Sequence, residues 1–174
     1  MIQLSLDPEK IGAALRFLHA GSPFEVRLLM CRNDGGRPFT MGGWFDRPEA
    51  AAAEVRRADR RYWPKGCYTT LNPVMPELLA RAGPNRLHRY PKNLTNDAEV
   101  ACRRWLAIDL DPRRPAGISS TDGEKKEARQ VGTAIRGWLE GEQGWPAPLV
   151  ADSGNGWHLL YSVDLPNDDR SRVL

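Results

Sequence analysis

Trp105-Leu106-Ala107-Ile108-Asp109-Leu110-Asp111-Pro112 is a short apolar run that carries two aspartates two positions apart and ends at a proline. An apolar run of this length, closed by a breaker, predicts a buried strand. Side chains alternate across a strand, so Leu106, Ile108 and Leu110 face one side while Ala107, Asp109 and Asp111 face the other. Two residues of strand rise put the aspartate Cα atoms about 6.5 Å apart. Carboxylates held that close repel, and a cation between them relieves the repulsion. A hard divalent ion with oxygen ligands suits the pair. The competing reading is two solvated residues at a strand end.

Working outward, helices and hairpins alternate without a regular βαβ rhythm, which predicts an α+β fold. Asp7-Pro8-Glu9 starts a helix with Ile11, Ala14, Leu15 and Leu18 inward, closed at Gly21. Phe24 to Cys31 and Phe39 to Phe45 read as two strands joined by a turn at Asn33-Asp34-Gly35-Gly36. Asp46-x-x-Glu49 resembles a capping box, opening a helix to about Arg61. Lys65 to Pro73 reads as a strand, Pro76 to Ala82 as helical, and Gly83 to Thr95 as irregular and basic. Asp97 to Arg103 is a short helix leading into the aspartate strand. Beyond the Pro112 to Gly117 loop, Thr121-x-x-Glu124 caps a helix to about Leu139, with Ala128, Val131, Ile135, Trp138 and Leu139 inward. Pro148 to Asp152 and Trp157 to Val163 are two more strands, and Leu165 to Asp169 opens a further helix.

Charge is unevenly placed. Residues 56–104 carry 11 basic against 4 acidic groups, whereas residues 105–174 carry 8 against 11. A basic middle beside an acidic-leaning segment suits a polyanion groove next to a carboxylate metal site, or else a solvated helix face at Arg56, Arg57, Arg60 and Arg61. Tyr62, Trp63, Tyr68, His88 and Tyr90 fall among these basic residues, a mixture used for stacking on single strands and also found in cores. Cys31, Cys67 and Cys102 are odd in number and without a Cys-x-x-Cys, which supports buried thiols in a reducing cytoplasm. No apolar run reaches the roughly 20 residues of a membrane span, and the N-terminus lacks signal-peptide character.

Ser153-Gly154-Asn155-Gly156-Trp157-His158 is the second informative stretch. Asn-Gly between two strands signals a hairpin, and small residues leave backbone N–H groups that can cradle phosphate. Ser153 adds a hydroxyl and His158 an imidazole; a plain hairpin with a half-buried histidine is the alternative.

The aspartate strand, a connecting helix, a strand and then a Ser-Gly-x-Gly-x-His turn together resemble the archaeo-eukaryotic primase superfamily, the primase-polymerases of phages, plasmids and mobile elements. Gly66 to Pro73, Trp105 to Pro115 and Asp152 to Tyr161 carry the wording, so the likeness runs from about residue 60 onward. It implies an N-terminal αβ module, about residues 1–96, leading into a catalytic sheet like that of RNA-recognition motifs, about 97–174. It implies Asp109 and Asp111 as catalytic ligands of Mg²⁺ or Mn²⁺, and Ser153 and His158 as contacts to a nucleotide's triphosphate. The implied partners are nucleoside triphosphates, a single-stranded DNA template and a helicase domain or protein. The family's third motif is a further aspartate on a later strand beyond a helix. Asp164, Asp168 and Asp169 precede that helix, so the resemblance places the third carboxylate and the last strands beyond Leu174. Arg103, Arg104, Arg113 and Arg114 bracket the first motif and suit phosphate, or else are solvated surface residues, while Asn72 ends a strand near the implied cleft. Two rivals share the residues: a non-catalytic single-strand or nucleotide binder, and a metal-dependent nuclease.

Overall fold

Phe24, Val26 and Leu28 alternate with Glu25, Arg27 and Leu29, and this period of two makes Phe24–Cys31 a strand, β1, with one apolar face. The computed structural model describes residues 7–32, 36–115 and 117–169, and the expected turn at Asn33 to Gly35 lies outside them. Before β1 comes helix α1 (Pro8–His19), whose N-cap Asp7 accepts from Glu9 N at 3.0 Å. Leu15 is buried on α1 as expected, but Ala14 is exposed and His19 takes an inward position. After β1 come β2 (Phe39–Phe45), α2 (Pro48–Tyr62), β3 (Gly66–Thr69) and β4 (His88–Arg89). They form one sheet in the order β3-β1-β2-β4, antiparallel at each pairing. Leu15 of α1 and Ala51, Val55 and Ala58 of α2 pack with Phe24, Val26, Leu28, Met41 and Phe45 of the sheet in one core.

Glu25 is fully buried on the other side of β1. Its carboxylate is paired with Arg27 and accepts from Thr95 N at 2.6 Å, which satisfies a charge that burial would otherwise penalise. The predicted Asp46 capping box does not form. Arg47 is the N-cap of α2, with no side-chain cap bond, and Glu49 pairs instead with Arg16 of α1. Asn85 does the capping from a distance: its Oδ1 accepts from Arg47 N at 3.1 Å while its Nδ2 donates to Asp46 at 2.7 Å. The stretch read as helical at Pro76 to Ala82 is a 3-10 helix, Pro76–Ala80, and Asp97–Glu99 is a single 3-10 turn rather than a helix to Arg103.

From Cys102 the chain is extended. β5 (Cys102–Leu110) is followed by α3 (Asp122–Glu142), β6 (Leu149–Asp152) and β7 (Trp157–Pro166), giving a second sheet in the order β5-β7-β6. The Thr121 capping box is present: Thr121 Oγ1 accepts from Glu124 N at 3.3 Å, and Glu124 accepts from Thr121 N at 2.8 Å. Leu139 and Ile135 of α3 pack with Leu110, Leu159 and Tyr161. Val131 and Trp138, expected inward, are 55% and 56% exposed, so the buried stripe of α3 runs through Ala128, Gly132 and Leu139. The helix start expected at Leu165 to Asp169 does not form: β7 continues through Leu165 and Pro166, and Asn167 to Asp169 are bends.

The chain is thus mixed α+β and divides into two compact units. One holds the described residues up to Arg103 with those from Leu165 on, and the other holds Arg104–Asp164. That division differs from the expected one at residue 96, and the chain re-enters the first unit at its end. Among the described residues no helix is long and apolar enough to cross a membrane.

Candidate functional site

The second unit brings the two sequence motifs together. Asp109 is the penultimate residue of β5, and Asp111 lies one residue beyond the strand. Alternation along β5 is as the sequence predicts: Leu106 and Ile108 pack on the core, Leu110 is buried, and Ala107 and Asp109 are exposed. The side chains of Asp109 and Asp111 are 63% and 56% exposed, so both carboxylates reach solvent. Asp111 has Arg114 Nη2 at 3.9 Å, and Arg114 Nη1 donates to Ile118 O at 2.9 Å.

The second motif turns β6 into β7, with Asp152 opposite Trp157 and Ala151 opposite His158. Gly154 takes φ +90°, the left-handed conformation that a tight reversal requires. The turn is closed by Ser153 N donating to Gly156 O at 3.1 Å and by Gly156 N donating to Ser153 Oγ at 2.8 Å. Gly154 N donates to Asp152 Oδ1 at 2.7 Å. Three of the N–H groups expected to cradle phosphate, those of Ser153, Gly154 and Gly156, are therefore already engaged. Ser153 Oγ accepts one of them, which leaves its hydroxyl proton to donate.

His158 Nε2 lies 3.3 Å from Asp109 Oδ1, which joins the motifs in one polar cluster. The approach depends on Gly156. A Cβ there would sit 2.5 Å from Leu110 O and 2.9 Å from Asp111 Oδ1. The glycine's part is close passage against the aspartate strand, a role the sequence reading did not assign.

The hairpin is also fastened to α3. Lys125 Nζ pairs with Asp152 at 2.9 Å, Trp157 Nε1 donates to Lys125 O at 3.0 Å, and Arg129 lies 5.0 Å from the centroid of the Trp157 ring. Ser120 N donates to Asn155 Oδ1 at 3.2 Å. The hydrogen bond from Lys125, then the one from Gly154 N, holds the Asp152 carboxyl below its ordinary value, and the Thr121 amide lowers that of Glu124. A depressed carboxyl contributes stability that is present above its unfolded value and lost as pH falls through the folded one. The Gly154 amide resonance should therefore hold steady from neutral pH to about 5 and shift below about pH 4. Lys125→Met should move that midpoint upward; an unchanged midpoint would show that the pair does not hold the turn.

Asp109 and Asp111 border a cavity of about 460 Å³ together with Arg113, Glu124 and Glu127. The sequence reading gave Glu124 only a capping role and did not single out Glu127, though their spacing of three near the start of α3 places them on one helix face. Asn72 and Arg103 line a different cavity, in the first unit. Among the described residues no three His, Cys, Asp or Glu side chains gather as a metal cage. Two solvent-reaching carboxylates do fit Mg²⁺ or Mn²⁺, hard ions that are commonly bound through one or two carboxylates with water and substrate phosphate completing the shell. Compared with protein-family models, curated proteins and solved structures, the chain matches none.

Proposed function

We propose that the chain is a nucleotidyltransferase domain of the primase-polymerase kind, joining nucleoside triphosphates on a single-stranded DNA template with Mg²⁺ or Mn²⁺. The observation that supports this reading best is the 3.3 Å contact between His158 and Asp109, from two motifs separated by a helix. In this reading Asp109 and Asp111 hold the metal, whose charge assists in-line displacement at a phosphorus atom. His158 and the Ser153 hydroxyl donate to the triphosphate of the incoming nucleotide. Arg113, at the rim of the same cavity, adds a planar fork for phosphate oxygens. Asp109 also orients the imidazole through the Nε2 contact, so His158 is already positioned before the nucleotide arrives.

The test is template-directed incorporation of labelled nucleotides by the purified protein with Mg²⁺ or Mn²⁺. His158→Ala should raise KM for nucleotide about tenfold, the worth of one charge-assisted hydrogen bond, with a smaller effect on kcat. If KM stays and only DNA affinity falls, the triphosphate role is wrong.

One observation favours a second reading, a binding module without chemistry. No third carboxylate joins Asp109 and Asp111 in a metal cage among the described residues. Metal-independent DNA binding with no affinity for nucleotide would select that reading, whereas loss of a labelled oligonucleotide in Mn²⁺ alone would select a nuclease.

A further inference from the structure

The first unit carries an aromatic and basic surface that plays no part in the Asp109 cluster. Arg89 of β4 lies over three rings, its guanidinium carbon 4.7 Å from the Phe39 centroid, 5.4 Å from Tyr90 and 5.6 Å from Tyr62. Arg61 adds a second cation, 5.3 Å from the Tyr62 centroid. The Phe39 ring meets Tyr62 edge-on at 5.4 Å and Tyr90 at 5.1 Å. A backbone bond from Arg32 N to Tyr62 O at 2.6 Å brings the end of β1 to the end of α2.

Phe39 is buried, which accounts for the cluster's inner half as packing. The outer half is not explained that way. Tyr90 is 62% exposed and Trp63 is 53% exposed. Both hold left-handed backbone, at φ +54° and +41°, an unusual conformation for aromatic residues. Arg32, Arg37, Arg60, Arg61 and Arg89 are exposed, and among the described residues no carboxylate pairs with them. Arg57, on the same helix as Arg60 and Arg61, and Arg16 of α1 are by contrast paired with Glu54 and Glu49.

The chemistry selects the ligand. A guanidinium stacked on a ring uses its face, while its N–H donors lie in its plane and stay available to fork onto phosphate oxygens. Exposed rings beside unpaired arginines offer stacking and charge together. A duplex cannot use the rings, because its bases are already stacked on one another.

We propose that this surface binds a single-stranded polynucleotide, with bases stacked on Tyr90 and Trp63 and phosphates held by Arg89, Arg61 and Arg32. It rests on the proposed function only for the nature of the partner, and needs neither metal nor chemistry at Asp109. Stacking tolerates any base, so the site tracks the strand without reading sequence.

Fluorescence anisotropy with labelled oligothymidylate and oligouridylate, in EDTA and across a salt series, tests it on the full chain. The unmodified protein should bind at least one of the two strands, and prefer it to the matching duplex. Tyr90→Ala should lose about tenfold in affinity with the salt slope unchanged, and Tyr90→Phe should keep wild-type affinity. Arg61→Ala, which removes a cation from the outside of Tyr62, should lower the log–log salt slope by about 0.7. Arg89→Ala should do the same where it folds, as checked by its melting curve. Wild-type affinity and slope in both Tyr90→Ala and Arg61→Ala would overturn the proposal, as would absence of single-strand binding or equal binding of duplex. Tyr90-dependent binding without nucleotide incorporation would sink the proposed function and leave this surface standing.

Discussion

Asp109→Ala is expected to cut metal-dependent nucleotide incorporation by about a thousandfold while leaving the fold intact. A catalytic metal supplies several kcal/mol of transition-state stabilisation, and each ~1.4 kcal/mol is a factor of ten in rate. Stability should change little, within about 0.5 kcal/mol, because the side chain is 63% exposed and contributes to no core cluster. Asp111→Ala should behave alike, since its carboxylate is equally open and its nearest cation, Arg114, stands off at 3.9 Å. Asp109→Asn separates charge from shape: it keeps an oxygen that can accept from His158 but removes the anion a metal needs. Equal losses in the alanine and asparagine variants indicate a ligand role, whereas rescue by asparagine indicates that orienting His158 is the larger part. Unchanged synthesis in Asp109→Ala and in Asp111→Ala would remove the assignment altogether.

What the sequence reveals about this molecule follows the range of the interactions involved. β1 and β2 are legible to the residue because short apolar runs and the turn residues that flank them are local signals. The start of α3 is equally legible, since Thr121 and Glu124 satisfy each other three residues apart. Asp46 and Glu49 carry the same local pattern, yet α2 starts differently. Asn85, nearly forty residues later, takes Asp46, and Arg16 on another helix takes Glu49. Val131 and Trp138 fit a helical stripe in pattern, but the core they were assigned to is narrow and filled by Leu110, Leu139 and Leu159. The site shows the same division. Asp109 and His158 stand out by residue type and spacing, whereas Glu124 and Glu127 enter the cavity only once α3 is set beside β5. Arg89 reads as one basic residue among many until three rings from separate elements close around it.

Gly156 is where that long-range part can be tested most sharply. Gly156→Ala is expected to destabilise the protein by about 1–3 kcal/mol, the usual cost of forcing an extra methyl group into a filled site. The contact is with backbone: the new Cβ would meet Leu110 O at 2.5 Å and Asp111 Cα at 3.3 Å, neither of which can swing aside as a side chain could. Relief requires the hairpin to withdraw from the end of β5, which opens the 3.3 Å contact between His158 and Asp109. Incorporation should accordingly fall further than the loss of folded protein explains when measured below the melting transition. Gly154→Ala is the matched control, because its strain has a different origin. Nothing lies within 4 Å of a Cβ at Gly154, but its φ of +90° disfavours any L side chain. Asparagine tolerates left-handed backbone better than alanine, so Gly154→Asn should recover part of the stability that Gly154→Ala loses. Gly156→Asn should recover none, since its Cβ meets the same carbonyl. A Gly156→Ala protein that melts and incorporates nucleotide like wild type would mean that the two motifs do not depend on this close passage.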